Sequence, residues 1–223
     1  MRRYLVLILA MSSILTAGIF GIMKRQTYTD LTKQEDYLMQ LQVAELSEGF
    51  VEVQCADMQQ NLPEAAYIIK VQVTEEIEHL FRVDRQKAVI KEIYVGSGLE
   101  QGEEVYIFSD HWKLILDGNP DSISRGFVNI MDVGAEYLVF AEDVVESPWS
   151  YALAVKLCDS FFIAPIFCYD ERQNVAMPVQ SDITYVPYQD VRYNEFFGVS
   201  EKTLKTMEEL KKQMLSLYPA DNF

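Results

Sequence analysis

The chain is poor in the residues from which common active sites are built. Its 223 residues hold three cysteines and two histidines, and neither His79 nor His111 stands at ligand spacing from a second histidine or a CxxC pair, so no metal centre is expected. No GxSxG, SxxK, HExxH, phosphate-loop or EF-hand pattern occurs, which leaves hydrolase, zinc-protease and nucleotide-hydrolase chemistry without a foothold. The nearest approach to a dinucleotide fingerprint, residues 96–102, has its last glycine interval one residue too long and leads into a strand rather than a helix. No catalytic, cofactor-binding or metal-binding residue is therefore assigned. An N-x-S/T sequon is also missing, which fits a bacterial source.

Positive charge is the second scarcity. The net charge is −15, and because Arg2, Arg3, Lys24 and Arg25 lie in the first 25 residues, the remainder carries 15 basic against 34 acidic residues, a net of −19. Nucleic-acid affinity rests on lysine and arginine contacts to phosphates, so a nucleic-acid partner is excluded.

The third absence is local. Residues 4–23, YLVLILAMSSILTAGIFGIM, contain no charge, and twenty helical residues at 1.5 Å each match a hydrocarbon core about 30 Å thick. Secretory signals have shorter apolar regions followed by a small-x-small site; the stretch around residues 15–21 offers only poor versions, and it lacks the cysteine that a lipoprotein site needs. Residues 1–25 are thus expected to be an uncleaved single-span anchor, with a cleaved signal and a secreted product as the alternative. Arg2 and Arg3 favour an inside N-terminus, although Lys24 and Arg25 weaken that bias. The expected localisation is the cell membrane, with the main domain extracytoplasmic.

Residues 26–63 read as a polar stalk, in which 29–42 suggest a short helix with Leu31, Tyr37, Leu38 and Leu41 on an apolar side, and Phe50 to Cys55 alternate like a strand before the turn at 61–63. Residues 64–165 then carry short apolar, β-branched and aromatic runs. In 66–74, AYIIKVQVT, Tyr67, Ile69, Val71 and Val73 fall on one face and Ile68, Lys70 and Gln72 on the other, the period of two of a half-buried strand. Further strands are expected at 88–95, 104–108, 136–144 and 151–157, with a long charged loop at 109–125. The fold class expected is mainly β: a small antiparallel, five-stranded OB-like Greek-key barrel with a C-terminal α-helix, preceded by one N-terminal transmembrane helix.

The order AAYIIKVQV, VIKEIYVGSGLEQGEEVYIF, VGAEYLVFAED, ALAVKLCDSFFIAP resembles the netrin-like OB-fold module of tissue inhibitors of metalloproteinases (TIMP-like), over about residues 65–165. Gly134, Tyr137, Leu138 and Val139 match the family's G-x-x-Y-L-V strand, and Leu157, Cys158 and Asp159 its closing L-C-D. The resemblance implies a secreted or surface binding module and, through a cysteine preceding the first strand, a Cys55–Cys158 disulfide. It does not imply metalloprotease inhibition here, because the N-terminal CxC arm is missing and the first cysteine is Cys55.

An odd cysteine count allows at most one internal disulfide; Cys158–Cys168 across a hairpin competes with Cys55–Cys158, and three free thiols is the third reading. Trp112 and His111 in the long loop, with Trp149 and Tyr151 before the last strand, are candidate ligand-binding residues, as a platform for a protein, peptide or glycan; capping of the barrel ends is the alternative. His111 stands beside Asp110, but sequence neighbours usually point apart, so the pair is not read as a general base with its orienting acid. Glu75, Glu76 and Glu78 before His79 read as a solvated acidic turn. Residues 166–223 form an extension ending in an amphipathic helix over 201–217, with Ser200 as its N-cap, a stripe of Leu204, Met207, Leu210, Met214 and Leu217, and Pro219 as its stop.

These features lead to a membrane-anchored extracytoplasmic binding or interaction module that is not an enzyme. The alternatives are a cell-envelope enzyme whose site lies in the loop of Asp110, His111 and Asp117, or a secreted protease-inhibitor-like protein.

Overall fold

A computed structural model of the protein describes residues 2–26, 37–80, 83–115, 122–146, 153–177 and 185–220. The chain divides into two units, Met1–Glu35 and Asp36–Phe223. The first holds helix α1 (Arg2–Gln26), over the stretch where the sequence predicts a helix. Among the described residues, no helix is long and apolar enough to cross a membrane.

In chain order the second unit runs α2 (Tyr37–Gln40), β1 (Gln42–Ala44), α3 (Glu48–Asn61), β2 (Tyr67–Val73), β3 (Glu78–Leu80), β4 (Val83–Val95), β5 (Glu104–Phe108), β6 (Lys113–Ile115), β7 (Ser122–Ser124), β8 (Glu136–Val145), β9 (Leu153–Leu157), β10 (Ile166–Cys168), β11 (Tyr185–Pro187), α4 (Tyr188–Val191) and α5 (Glu201–Leu217). Five of these strands close a barrel: β2 pairs with β4, β4 with β5, β5 with β9, β9 with β8, and β8 returns to β2. The long strand β4 makes this closure possible. Its Arg85–Val89 segment pairs with β5 and its Ala88–Val95 segment with β2, where register shifts leave Tyr94 and Lys91 as extra residues. Such bulges bend a strand and increase its twist, which carries β4 from one wall of the barrel to the next.

The spacing of the strands suggests a wholly antiparallel barrel, and the structure departs from it in one pair. Strands β5 and β9 run parallel, with Phe108 opposite Lys156. Hydropathy periodicity reports which residues face the core but not the direction of the partner strand. The expected two-faced pattern of β2 is also incomplete, because both faces are covered: Ile68 is as fully buried as Ile69 and Val71, and Lys70 is buried with its ammonium 3.2 Å from Glu136.

Residues 50–55 form part of α3, not the expected strand. The buried positions are Val51, Cys55 and Met58, with Leu62 following, a spacing of four, three and four that belongs to a helix. Phe50 and Val53, which the alternating reading would have placed with them or opposite them, are exposed. The partner of this stripe is α5, whose Leu204, Met207, Leu210 and Met214 are buried in the same core cluster. Burial is worth about 1.5–3 kcal/mol for each such side chain. The expected bounds and cap of α5 match the structure, since the Ser200 hydroxyl accepts from the Thr203 amide at 3.1 Å, but Leu217 lies exposed rather than in the stripe. Glu48 joins the N-termini of the two helices by accepting from Ser200 at 3.1 Å and Lys202 at 3.0 Å.

A second sheet, ordered β11-β1-β7-β6, gathers residues from far apart in sequence. It and α4 enclose a smaller core containing Leu41, Val43, Ile123, Val186, Tyr188 and Phe197. This sheet carries β6 and β7, which pair with each other within the segment 109–125 that the sequence reads as a loop.

Neither expected disulfide is present: Cys55, Cys158 and Cys168 are all free. The Cys158 amide donates to the Phe140 carbonyl of β8, whereas Cys168 lies opposite Tyr137 of the same strand. Three residues of strand separate these positions by about 10 Å, beyond the roughly 7 Å that a disulfide tolerates between Cα atoms. Cys55 instead packs on the buried side of α3.

Candidate functional site

Two parallel strands that end together bring two distant turns together. Beyond Phe108 the chain turns through Ser109–Trp112, with the Trp112 amide donating to the Ser109 carbonyl at 3.2 Å. Beyond Leu157 it turns through Cys158 and Asp159, and the Asp159 carboxylate organises the first turn. Its Oδ1 accepts from the Ser109 hydroxyl at 2.5 Å and its Oδ2 from the Asp110 amide at 3.1 Å. The His111 amide donates to Ser109 Oγ at 3.2 Å, and the His111 ring nitrogen Nε2 lies 2.9 Å from the Asp159 carbonyl oxygen. A carbonyl can only accept, so Nε2 carries the proton and Nδ1 is the acceptor of the neutral ring.

Around these turns lies a cavity of about 460 Å³. Ser109, His111 and Trp112 line it from the first turn, Cys158 to Phe162 from the second, and Arg125, Gly126 and Phe127 from the segment after β7; Phe197 and Ala164 complete much of its apolar wall. The segment after β7 is held in an unusual conformation. Gly126 and Phe127 both have positive φ, 60° and 59°, and a phenylalanine in the left-handed region costs roughly 1–2 kcal/mol. Gly126 is required by packing as well, because a Cβ there would sit 2.7 Å from the Ala164 amide nitrogen. The Ala164 amide donates to the Gly126 carbonyl at 2.8 Å and the Phe197 amide to the Phe127 carbonyl at 2.9 Å, which hold the turn in place.

Arg125 is the principal charge of the wall. It is 2% exposed, and its guanidinium lies 3.7 Å from the ring centroid of Trp112, itself 1% exposed. One guanidinium nitrogen, Nη2, donates to Gln86 Oε1 at 3.4 Å. Gln86 is fully buried and serves as a clamp, since its Nε2 donates to the Met131 carbonyl at 2.8 Å while its Oε1 accepts from the Met131 amide at 3.0 Å. Arg125 Nε and Nη1, and the Trp112 indole nitrogen, are buried without a hydrogen-bond partner. Burial pulls the Arg125 pKa down to about 10, with the charges of Asp84, Tyr188 and Tyr137 pushing the other way, so the group remains a cation at neutral pH.

An acidic and basic cluster stands at the edge of the same turns. Lys156 Nζ lies 2.6 Å from Glu142, 3.0 Å from Asp110 and 3.6 Å from Asp159. Hydrogen bonds to Glu142 and Asp110 raise its pKa, which keeps it charged. Glu142 is the extra residue where the β8–β9 register shifts, and this bulge aims it at Lys156. Burial, with Glu142 and Asp159 adding to it, pushes the Cys158 thiol up to about 11, so it is protonated at neutral pH and a weak nucleophile.

Of the residues singled out from sequence, His111 and Trp112 both line the cavity. Trp112 is a buried wall beneath Arg125 rather than an exposed platform, while Trp149, Tyr151 and Asp117 lie outside the described residues. Asp110 does not orient His111; its carboxylate engages Lys156. The His111 ring hydrogen points to a main-chain carbonyl and not to Ser109, so the serine-to-imidazole relay of a hydrolytic triad is not formed. Glu75, Glu78 and His79 are engaged with Lys87, Arg85 and Asp84, and among the described residues no His, Cys, Asp and Glu cluster is arranged to hold a metal ion. No sequence motif marks Arg125, Ser109, Gln86 or Asp159 as a site residue. One signal for Arg125 is present in the sequence, where it is the sole basic residue between Lys113 and Lys156 and is followed by a glycine and an apolar run.

The chain matches no protein-family model and no curated protein.

Proposed function

We propose that this protein is a membrane-anchored, extracytoplasmic binding module, whose OB-like barrel is of the netrin-like type and whose cavity beside the parallel β5–β9 ends receives the ligand. The cavity carries this reading: about 460 Å³ is within the range of small-ligand sites, and its wall combines aromatic surface with a few placed polar groups. A protein or peptide side chain or terminus, or a glycan, is the partner. The anchor is residues 4–23. Support for it comes from their lack of charge and from Ile14, Leu15, Ile19 and Phe20 of α1, each more than half exposed, which need an apolar surrounding.

Fractionation of cells and protease treatment of intact spheroplasts test the placement. The full chain is expected in the membrane fraction, released by detergent but not by carbonate, with its body digested from outside. Recovery as a soluble, protease-protected cytoplasmic protein would remove the proposal. For the enzyme alternative, His111→Ala is the decisive variant, since a cell-envelope activity that survives it with the fold intact does not depend on this imidazole.

A further inference from the structure

We propose that the cavity recognises a carboxylate carried on an apolar body, with the Arg125 guanidinium and the Trp112 indole N–H as its donors and Phe127, Phe161 and Phe197 as its apolar walls. This rests on the binding-module reading and names the ligand chemistry for it.

The argument begins with satisfaction of buried polar groups. Native interiors leave few donors without partners, and an ionised group that is buried and unpaired costs several kcal/mol. Arg125 is nonetheless buried with Nε and Nη1 unpartnered, and the Trp112 indole nitrogen stacked against it is unpartnered too. Both residues line the same cavity, with these donor atoms just beneath its surface. Asp84 acts on Arg125 through space without a hydrogen bond or close ion pair to it; its Oδ1 lies 2.6 Å from His79 Nδ1 and its Oδ2 is itself buried without a partner. Other cations of the unit, such as Lys211 and Lys70, sit on carboxylates at 2.5 and 3.2 Å. Arg125 thus stands out as a cation whose hydrogen bonds are left for something else.

The charge of that partner follows from the rest of the wall. Arg125 is the cation among the described lining residues, and Asp159 lines the same cavity. A phosphate dianion would meet one guanidinium and one nearby carboxylate in a chain of net charge −15, whereas a single negative charge is matched by Arg125 alone. Planar carboxylates also suit guanidinium donors geometrically. The remaining surface, from Ile123, Ala164 and the phenylalanines, is apolar and can take only an uncharged body. Phe162 is 63% exposed and belongs to the rim, so such a body can enter from that side. Capped amino acids with an aromatic side chain have this combination of one carboxylate and an apolar mass.

The test compares N-acetylphenylalanine with N-acetylphenylalaninamide, which differ at the carboxylate, on the full chain purified in detergent by isothermal titration calorimetry. Inorganic phosphate serves as a competitor. The acid is expected to bind at least tenfold more tightly than the amide, phosphate at equal concentration is expected to displace little of it, and Arg125→Met is expected to bring acid and amide to the same affinity. Equal affinities in the natural chain would overturn carboxylate recognition and leave the binding-module reading standing. Displacement by phosphate as effective as by the acid would overturn the requirement for an apolar body. No binding of either phenylalanine derivative to the folded chain would overturn the inference, while the binding-module reading, which also admits a glycan, falls only with the fractionation test. The acid and amide comparison needs no variant, so it stands even where Arg125→Met fails to fold.

Discussion

Lys211, whose side chain is 11% exposed, and Arg125, at 2%, are cations largely shielded from solvent in the same unit, and they are treated in opposite ways. Lys211, on α5, donates to Glu195 at 2.5 Å and to the Asp170 carbonyl at 2.9 Å, while the other oxygen of Glu195 accepts from the Cys168 amide at 2.8 Å. Burial raises the Glu195 pKa, and Lys211 and the Cys168 amide pull it back. Every charge in that cluster has its partner inside the fold, and the result is a joint between α5 and β10. Arg125 has a long hydrogen bond to Gln86, a stacked indole, and donors left over. The first arrangement is what structure requires. The second has a cost that folding does not recover, as expected where function sets the requirement.

The sharpest way to break this contrast is to remove the carboxylate from the satisfied pair. Glu195→Ala leaves the largely shielded Lys211 without its carboxylate and the buried Cys168 amide without its acceptor, and is expected to destabilise by about 3–5 kcal/mol, read by urea unfolding of the full chain; a loss under about 1 kcal/mol would show that the pair is not structural. Next comes Gly126→Ala, which meets backbone at 2.7 Å at a positive φ and is expected to cost about 2 kcal/mol or more while also displacing the cavity wall.

Arg125→Met should behave differently from Glu195→Ala. Exchanging an unpaired buried cation for an apolar chain of similar length relieves that cost and is expected to leave stability unchanged or raise it by up to about 4 kcal/mol, and a loss comparable to that of Glu195→Ala would erase the distinction between the two sites. Ser200→Ala, which removes the cap of α5 without touching either cation, should cost about 1 kcal/mol in the same assay. The smallest effect is chemical. With burial holding Cys55 up at about 12 and Cys158 up at about 11, both thiols are protonated below those values, so at pH 8 iodoacetamide should label the folded chain slowly and label three cysteines once it is unfolded without reductant. Two blocked cysteines in the unfolded chain would reinstate a disulfide.

The legibility of the fold follows from how each element stores its information. Strands β2, β5 and β8 and helix α5 were readable because burial imposes a period on their own residues, as at Glu104–Phe108 and Glu201–Leu217. Helix α3 is disguised in the sequence because Phe50 to Cys55 happens to alternate, and its true stripe becomes clear only when Met58 and Leu62 are counted with Val51 and Cys55. The candidate site was half legible. His111 and Trp112 attracted attention as chemically distinctive residues in a loop, whereas Asp159, which organises that loop from 50 positions beyond Ser109, carries no local mark of doing so.

By itself the sequence determined the acidic body, the uncharged stretch at residues 4–23, the mainly β core and the C-terminal helix, since each is a property of composition or of short-range period. The tertiary structure alone decided that β5 and β9 run parallel and end side by side, and that Arg125 reaches the wall they share with Trp112. Strand direction and the meeting of distant turns depend on which segments pair, and pairing is a property of the whole closed barrel rather than of any stretch within it.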